Sequence, residues 1–169
     1  STAIANATGL HAPANGLSFP PASVEQIPTV MRLRSQGGVL DQTGVVEVAS
    51  SLHPDGRSVG YDIRKGVWVC VEAPNDYIAR CFKEYQVFTD PEGRCMVQYK
   101  KWHLIGLELG ISVASVGLRG EPTGVARCFN ADVVATAKRD LKPGEVLDGE
   151  GGYTAVSYTH LRAHETRED

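Results

Sequence analysis

Four ionisable side chains with the chemistry of an acid–base and anion site lie close together in Tyr99-Lys100-Lys101-Trp102-His103-Leu104 and the nearby Glu108. The six-residue segment falls at an expected strand-to-helix junction. There the backbone N–H groups and the positive dipole end of a helix attract anions. Two ammonium groups and an imidazole strengthen that field, so a phosphate or carboxylate group suits the place. An imidazole titrates near pH ~6.5, which fits His103 as a proton donor in a carbonyl reduction. The plainer reading is a solvated basic pair beside a helix-capping histidine. Glu108 follows His103 by five residues and does not share a helix face with it cleanly. Among Leu104, Leu107 and Ile111 a lone carboxylate is costly, so it either partners a lysine or sits at the rim of a site. Asn6, in Ala5-Asn6-Ala7-Thr8-Gly9, reads as a structural cap or as a ligand contact.

Other chemistries lack their motifs. The sequence holds no G-x-G-x-x-G, no G-x₄-G-K-[ST] and no G-x-S-x-G, the patterns that hold dinucleotides, cradle phosphates or carry an esterase serine. Cys70, Cys81, Cys95 and Cys128 include no C-x₂-C pair. They read as small, mostly buried hydrophobes in a reducing compartment, and no metal site is expected. With 17 basic against 20 acidic residues, a net charge of −3 and 42% hydrophobic content, the composition excludes disordered, collagen-like, transmembrane and strongly cationic classes.

The elements that must position these groups follow from local pattern. Thr2 to Ala7 with Gly9 reads as a helix end with a left-handed glycine cap, and Leu10 to Ala22 as a proline-rich loop. Ser23-Val24-Glu25-Gln26 is a capping box expected to start a helix running to about Arg34, stopped by Gly37-Gly38. Val45 to Val48 reads as a strand and His53 to Arg57 as a turn. The run Val67-Trp68-Val69-Cys70-Val71 predicts a buried central strand. Asn75 to Tyr85 carries a helical stripe, Asp90 to Gly93 a turn, and Arg94 to Tyr99 a strand. Leu104 to Leu118 is the most helical stretch. Gly120 to Gly124 is a linker, Val133 to Ala137 a strand, Arg139 to Glu145 a turn, and Val146-Leu147 resumes an extended segment.

Both ends of the chain read as incomplete. Thr2 to Gly9 resembles the last turns of a helix, so the natural start is expected further upstream. Ser1-Thr2-Ala3 shows neither the basic nor the apolar region of a secretory signal, and a cytoplasmic location is expected. Val156 to Thr166 resembles the translation of a transposon-type sequencing adapter, so residues 156–169 are expected to be adapter-derived and are set aside from fold reasoning. His160 and His164 go with them, although their helical spacing imitates a metal pair.

Three segments carry a family resemblance: Ala5-Asn6-Ala7-Thr8-Gly9-Leu10, then Tyr99 to Ser112, then Ala135 to Thr154, which reads ATAKRDLKPGEVLDGEGGYT. Together they resemble homoserine dehydrogenase-like NAD(P)-dependent oxidoreductases that end in a SAF (antifreeze-like, β-clip) domain, including the deoxyxylulose phosphate reductoisomerase-like branch. The family pattern near the second segment is roughly Y-R-P-Y-H-L-x-H-L-E. Lys100 stands at its Arg, Trp102 at its second aromatic, and His103, Leu104, Leu107 and Glu108 match. Lys101 replaces the Pro and Gly106 the second His; Lys for Arg keeps the charge but loses the planar two-pronged donor.

The resemblance implies an α+β chain. Residues 1–22 would be the helix end and loop leaving a Rossmann domain that is itself absent. Residues 23–120 would form a mixed-sheet substrate domain, 121–155 a truncated SAF-like module, and 156–169 the adapter-derived tail. It implies NAD(P), bound mainly by the absent domain, and a small anionic carbonyl or hydroxy substrate. His103 and Glu108 would line the reacting carbonyl, with Lys100, Lys101 and Asn6 holding the substrate. The expected partner is a small molecule, with no nucleic acid and no membrane, and homo-oligomerisation is left open. The rival reading is a non-catalytic SAF-type module that binds carbohydrate or contacts a partner, since a fold does not fix a function. A further reading is a fragment inactive by itself.

Overall fold

Gly9 closes the first helix, α1 (Thr2–Thr8), in the left-handed conformation at φ 81°, donating its N–H to the Ala5 carbonyl. The computed structural model describes residues 1–104, 106–148 and 152–161. The chain divides into two units that interleave along the sequence: Ser1–Ser18, Gly44–Glu47 and Val125–Asp169 form the first, Phe19–Thr43 and Val48–Gly124 the second.

In the first unit, Ala5, Ala12, Val46 and Ala131 form a small buried cluster, with Leu10 packed beside them. The expected strand at Val45 to Val48 is absent. A single parallel bridge joins His11 and Val45, and of this stretch only Val46 is buried. One inward side chain gives a strand no continuous face to bury, so the ladder stops there. The strand expected at Val133 to Ala137 is present as β3 (Ala131–Ala137). It pairs antiparallel with β4 (Ala155–Leu161), from Ala131 opposite Leu161 to Ala137 opposite Ala155. β4 thus takes in Val156 to Leu161, the start of the stretch resembling adapter sequence. Val146 and Leu147 are exposed and form no strand.

The second unit starts from the expected capping box. Gln26 N donates to Ser23 Oγ at 3.2 Å, and Ser23 N donates to Gln26 Oε1 at 3.0 Å. The box opens a single 3₁₀ turn that runs into α2 (Ile27–Val30), shorter than the expected helix to Arg34. Leu33 bridges Leu40 instead, and Arg34 N donates to the Leu40 carbonyl, so the chain leaves the helix to make a loop contact. Ile27, Val24, Ala22, Met31, Ala49, Ile63 and Val97 form the core of this unit.

Across that core lies a hairpin of β1 (Val67–Glu72) and β2 (Cys95–Lys100), antiparallel from Val67 opposite Lys100 to Glu72 opposite Cys95. Trp68, Cys70 and Tyr99 face the core, while Val67, Val69 and Val71 are exposed. The apolar run at 67–71 is therefore buried on one face and not two, because no second layer covers the valines among the described residues. Between the strands, α3 (Asp76–Glu84) starts where Asn75 Oδ1 accepts Ile78 N at 3.0 Å. Ile78, Cys81 and Phe82 are half-buried, but Tyr77 and Tyr85 are exposed.

The chain is α+β, as expected. Its sheets among the described residues are two antiparallel pairs and not the mixed sheet expected. β1 and β2 pair antiparallel although α3 lies between them in the chain, so α3 is not the crossover of a parallel pair.

The last helix, α4 (Leu109–Arg119), starts five residues later than the period predicts. Its polar side is turned inward. Ser115 Oγ donates to the Glu121 carbonyl at 2.8 Å, Ser112 and Thr123 hydroxyls meet at 3.0 Å, and Arg119 donates to Ser115 Oγ. Leu109, Ile111, Val113, Val116 and Leu118 consequently point outward. No helix among the described residues is long and apolar enough to cross a membrane.

Candidate active site

Where β2 ends, three of the residues singled out by sequence come together. Lys100 Nζ lies 2.7 Å from Glu108 Oε1, and His103 Nδ1 lies 3.2 Å from Glu108 Oε2. One carboxylate therefore holds an ammonium on one oxygen and an imidazole nitrogen on the other. The five-residue gap between His103 and Glu108 poses no obstacle, because its described residues are not helical: Leu107 N donates to the Leu104 carbonyl. The Glu108 carboxyl is held below the usual carboxylate range, first by the hydrogen bond from Lys100 and then by the charges of Lys100 and His103. Glu108 is ionised at neutral pH and acts as an acceptor, fixing the imidazole with Nδ1 toward it and leaving Nε2 for a reacting oxygen.

The backbone at His103 is fixed by a separate contact. His103 N donates to the Lys65 carbonyl at 2.8 Å. Lys65 sits in the turn before β1, closed by Gly66 N on the Ile63 carbonyl at 2.9 Å, with Ile63 in the core. Gly66 is needed here because a Cβ at this position would stand 2.3 Å from Cε2 of the Tyr99 ring. Gly66→Ala is expected to destabilise this unit by about 1–3 kcal/mol through overpacking. Thermal melts should show the loss, and an unchanged melting temperature would mean the ring has room to move.

Lys101 and Asn6 are placed elsewhere. The Lys101 ammonium lies 5.0 Å from the centroid of the Trp102 ring, a cation–π contact, and does not join the Glu108 pair. Asn6 belongs to the first unit, where its side chain ties α1 to the start of β3. Its Oδ1 accepts Asn130 N at 2.8 Å and Ala131 N at 3.0 Å, and its Nδ2 donates to the Ala131 carbonyl at 3.0 Å.

Cys70 and Cys95 do not supply a nucleophile. All four cysteines are free; Cys95 is buried and the others are half-buried. Burial pushes the Cys70 thiol up to about 12 and also raises Cys95, so neither forms appreciable thiolate at neutral pH. Beneath the hairpin, the turn expected at Asp90 to Gly93 is locked by a buried carboxylate that sequence alone did not single out. Asp90 Oδ1 accepts Arg94 N at 2.7 Å and Cys95 N at 2.8 Å, while Asp90 Oδ2 meets Arg32 Nη1 at 3.0 Å. Glu92 binds the same guanidinium nitrogen at 2.7 Å.

A carboxylate that holds an imidazole nitrogen on one oxygen and an ammonium on the other is an arrangement that can move a proton. Comparison with known families gives the class: the chain is part of an oxidoreductase. Residues 1–109 match the family described as oxidoreductase DRL, catalytic domain, and the chain belongs to that family. Lys100, His103 and Glu108 all fall inside the matched span, whereas residues 121–155 lie beyond it. No curated protein matches the chain.

The described residues do not fit a dinucleotide. Both sheets are antiparallel pairs, and none of their strands feeds a glycine-rich turn into a helix N-terminus.

Proposed function

We propose that this chain is the substrate-handling part of a homoserine dehydrogenase-like, NAD(P)-dependent oxidoreductase acting on a small anionic carbonyl or hydroxy compound. The observation that carries this reading is Glu108 shared between Lys100 and His103. A carbonyl oxygen at His103 Nε2 would receive a proton from the imidazole as it is reduced, or give one up in the reverse direction. Glu108 stabilises the imidazolium, and Lys100 keeps Glu108 ionised.

Lys101, exposed beside Trp102, adds attraction for a phosphate or carboxylate on the substrate. A reductoisomerase-like reaction is the second reading. It must also move a proton between oxygens of neighbouring carbons, and the paired imidazole and carboxylate suit such a shuttle. The segment 121–155 as a SAF-like module belongs to the same proposal.

The test is consumption of NAD(P)H by the enzyme that carries this segment, offered a panel of small keto- and hydroxyketo-phosphates and carboxylates. Turnover confined to anionic members supports the reading. Equal turnover of the uncharged analogues removes the anion-binding role, and no turnover of any carbonyl compound removes the reaction class.

A further inference from the structure

Among the described residues, Lys65 is one of four outside glycine with a positive φ, at 60°. A lysine in this conformation is uncommon and carries a strain that glycine or asparagine would avoid. Its place in the hairpin makes that strain informative. Val67 opens β1 opposite Lys100, the last residue of β2. The turn just before β1 therefore lies beside the residues just after β2, and the Lys65 carbonyl accepts the His103 N–H at 2.8 Å.

The cations at this end differ in what they have left to offer. Lys100 is engaged by Glu108 at 2.7 Å, and Arg64 by Asp62 at 3.0 Å. Lys101 lies over the Trp102 ring. Lys65 is exposed, and no ion pair or side-chain hydrogen bond holds its ammonium among the described residues. A flexible four-carbon stem lets that ammonium swing toward His103 while the carbonyl stays fixed.

We propose that Lys65 is a substrate-binding residue of this site. Its ammonium, and not that of Lys100, supplies the counter-charge for an oxyanion (phosphate or carboxylate) on the substrate, and its carbonyl sets the His103 backbone. The inference rests on the reading of Lys100, His103 and Glu108 as the substrate site. It accounts for a lysine where the turn alone would favour glycine: the charge is kept at the expense of backbone strain.

The test is titration of the isotopically labelled 169-residue chain with inorganic phosphate at constant ionic strength, chloride serving as the control. The readout is the NMR shift of the His103 ring and backbone amide. Wild type should show a saturable, phosphate-specific shift. Lys65→Gly should melt no lower than wild type, because the strain is relieved, yet bind phosphate about two- to fivefold more weakly, the order expected for losing one exposed charge contact. Lys65→Arg should bind as wild type does. Lys65→Gly binding phosphate like wild type would overturn the assignment while leaving the site reading intact. A wild-type chain with no phosphate-specific shift would overturn both.

Discussion

Replacing His103 with Gln should lower turnover of the enzyme carrying this segment by about 10²–10⁴-fold, the usual worth of a positioned acid–base group. The amide fills much of the same space and keeps a hydrogen-bond donor, so Glu108 retains a partner and the local backbone contact to Lys65 survives. Only the capacity to gain and release a proton disappears. The loss should therefore fall on kcat, with little change in the affinity for a nicotinamide nucleotide, because the described residues offer that nucleotide no cradle. Steady-state kinetics together with nucleotide titration check both halves. An unchanged kcat would show that the imidazole does not touch the reacting atoms.

The second large effect is on stability. Asp90→Ala should cost about 3 kcal/mol, measured by denaturant unfolding of the second unit. The Asp90 side chain is 2% exposed and accepts two backbone N–H groups as well as Arg32. Its removal strands the N–H groups of Arg94 and Cys95 away from water and leaves Glu92 as the one carboxylate on Arg32 among the described residues. The same carboxylate gives a pH dependence with a fixed sign. Burial opposes its charge, but the Cys95 N–H, the Arg94 N–H and the Arg32 guanidinium overcome that and hold its carboxyl below the usual range. A group with a depressed folded-state pKa binds its proton more readily when unfolded. Its stabilisation is therefore complete well above the unfolded value of about 3.9 and is lost as the pH falls through the lower folded value. Wild type should lose stability on acidification, and Asp90→Ala should lose less over the same range. A parallel decline in both proteins would mean that other carboxylates carry the acid sensitivity.

What could be read from sequence was whatever is settled within a few residues. The Ser23–Gln26 box, the Gly9 cap, the Asp90 turn and the strand expected over Arg94 to Tyr99 are decided by neighbours a few positions apart. The convergence of Lys100, His103 and Glu108 was half legible. The cost of a lone carboxylate among leucines required a partner, and a lysine was one of the two outcomes foreseen.

α4 starts at Leu109 and not at Leu104 because Gly106 takes the left-handed conformation at φ 87°, which breaks a right-handed helix there. The run at 67–71 was assigned two buried faces because a continuous apolar stretch does not reveal how many layers will cover it. Asp90 escaped notice for a similar reason. Its partner Arg32 is 58 residues away in sequence, and nothing in a D-P-E-G turn distinguishes a buried carboxylate from a solvated one.

The most direct measurement is a double-mutant cycle on kcat/KM with Glu108→Gln, His103→Gln and the pair together. If Glu108 acts by holding the imidazole in place, the double variant should be no slower than His103→Gln alone, to within about twofold, since residues working as one unit are not additive. Losses that multiply would show the two side chains acting independently and would dissolve the site.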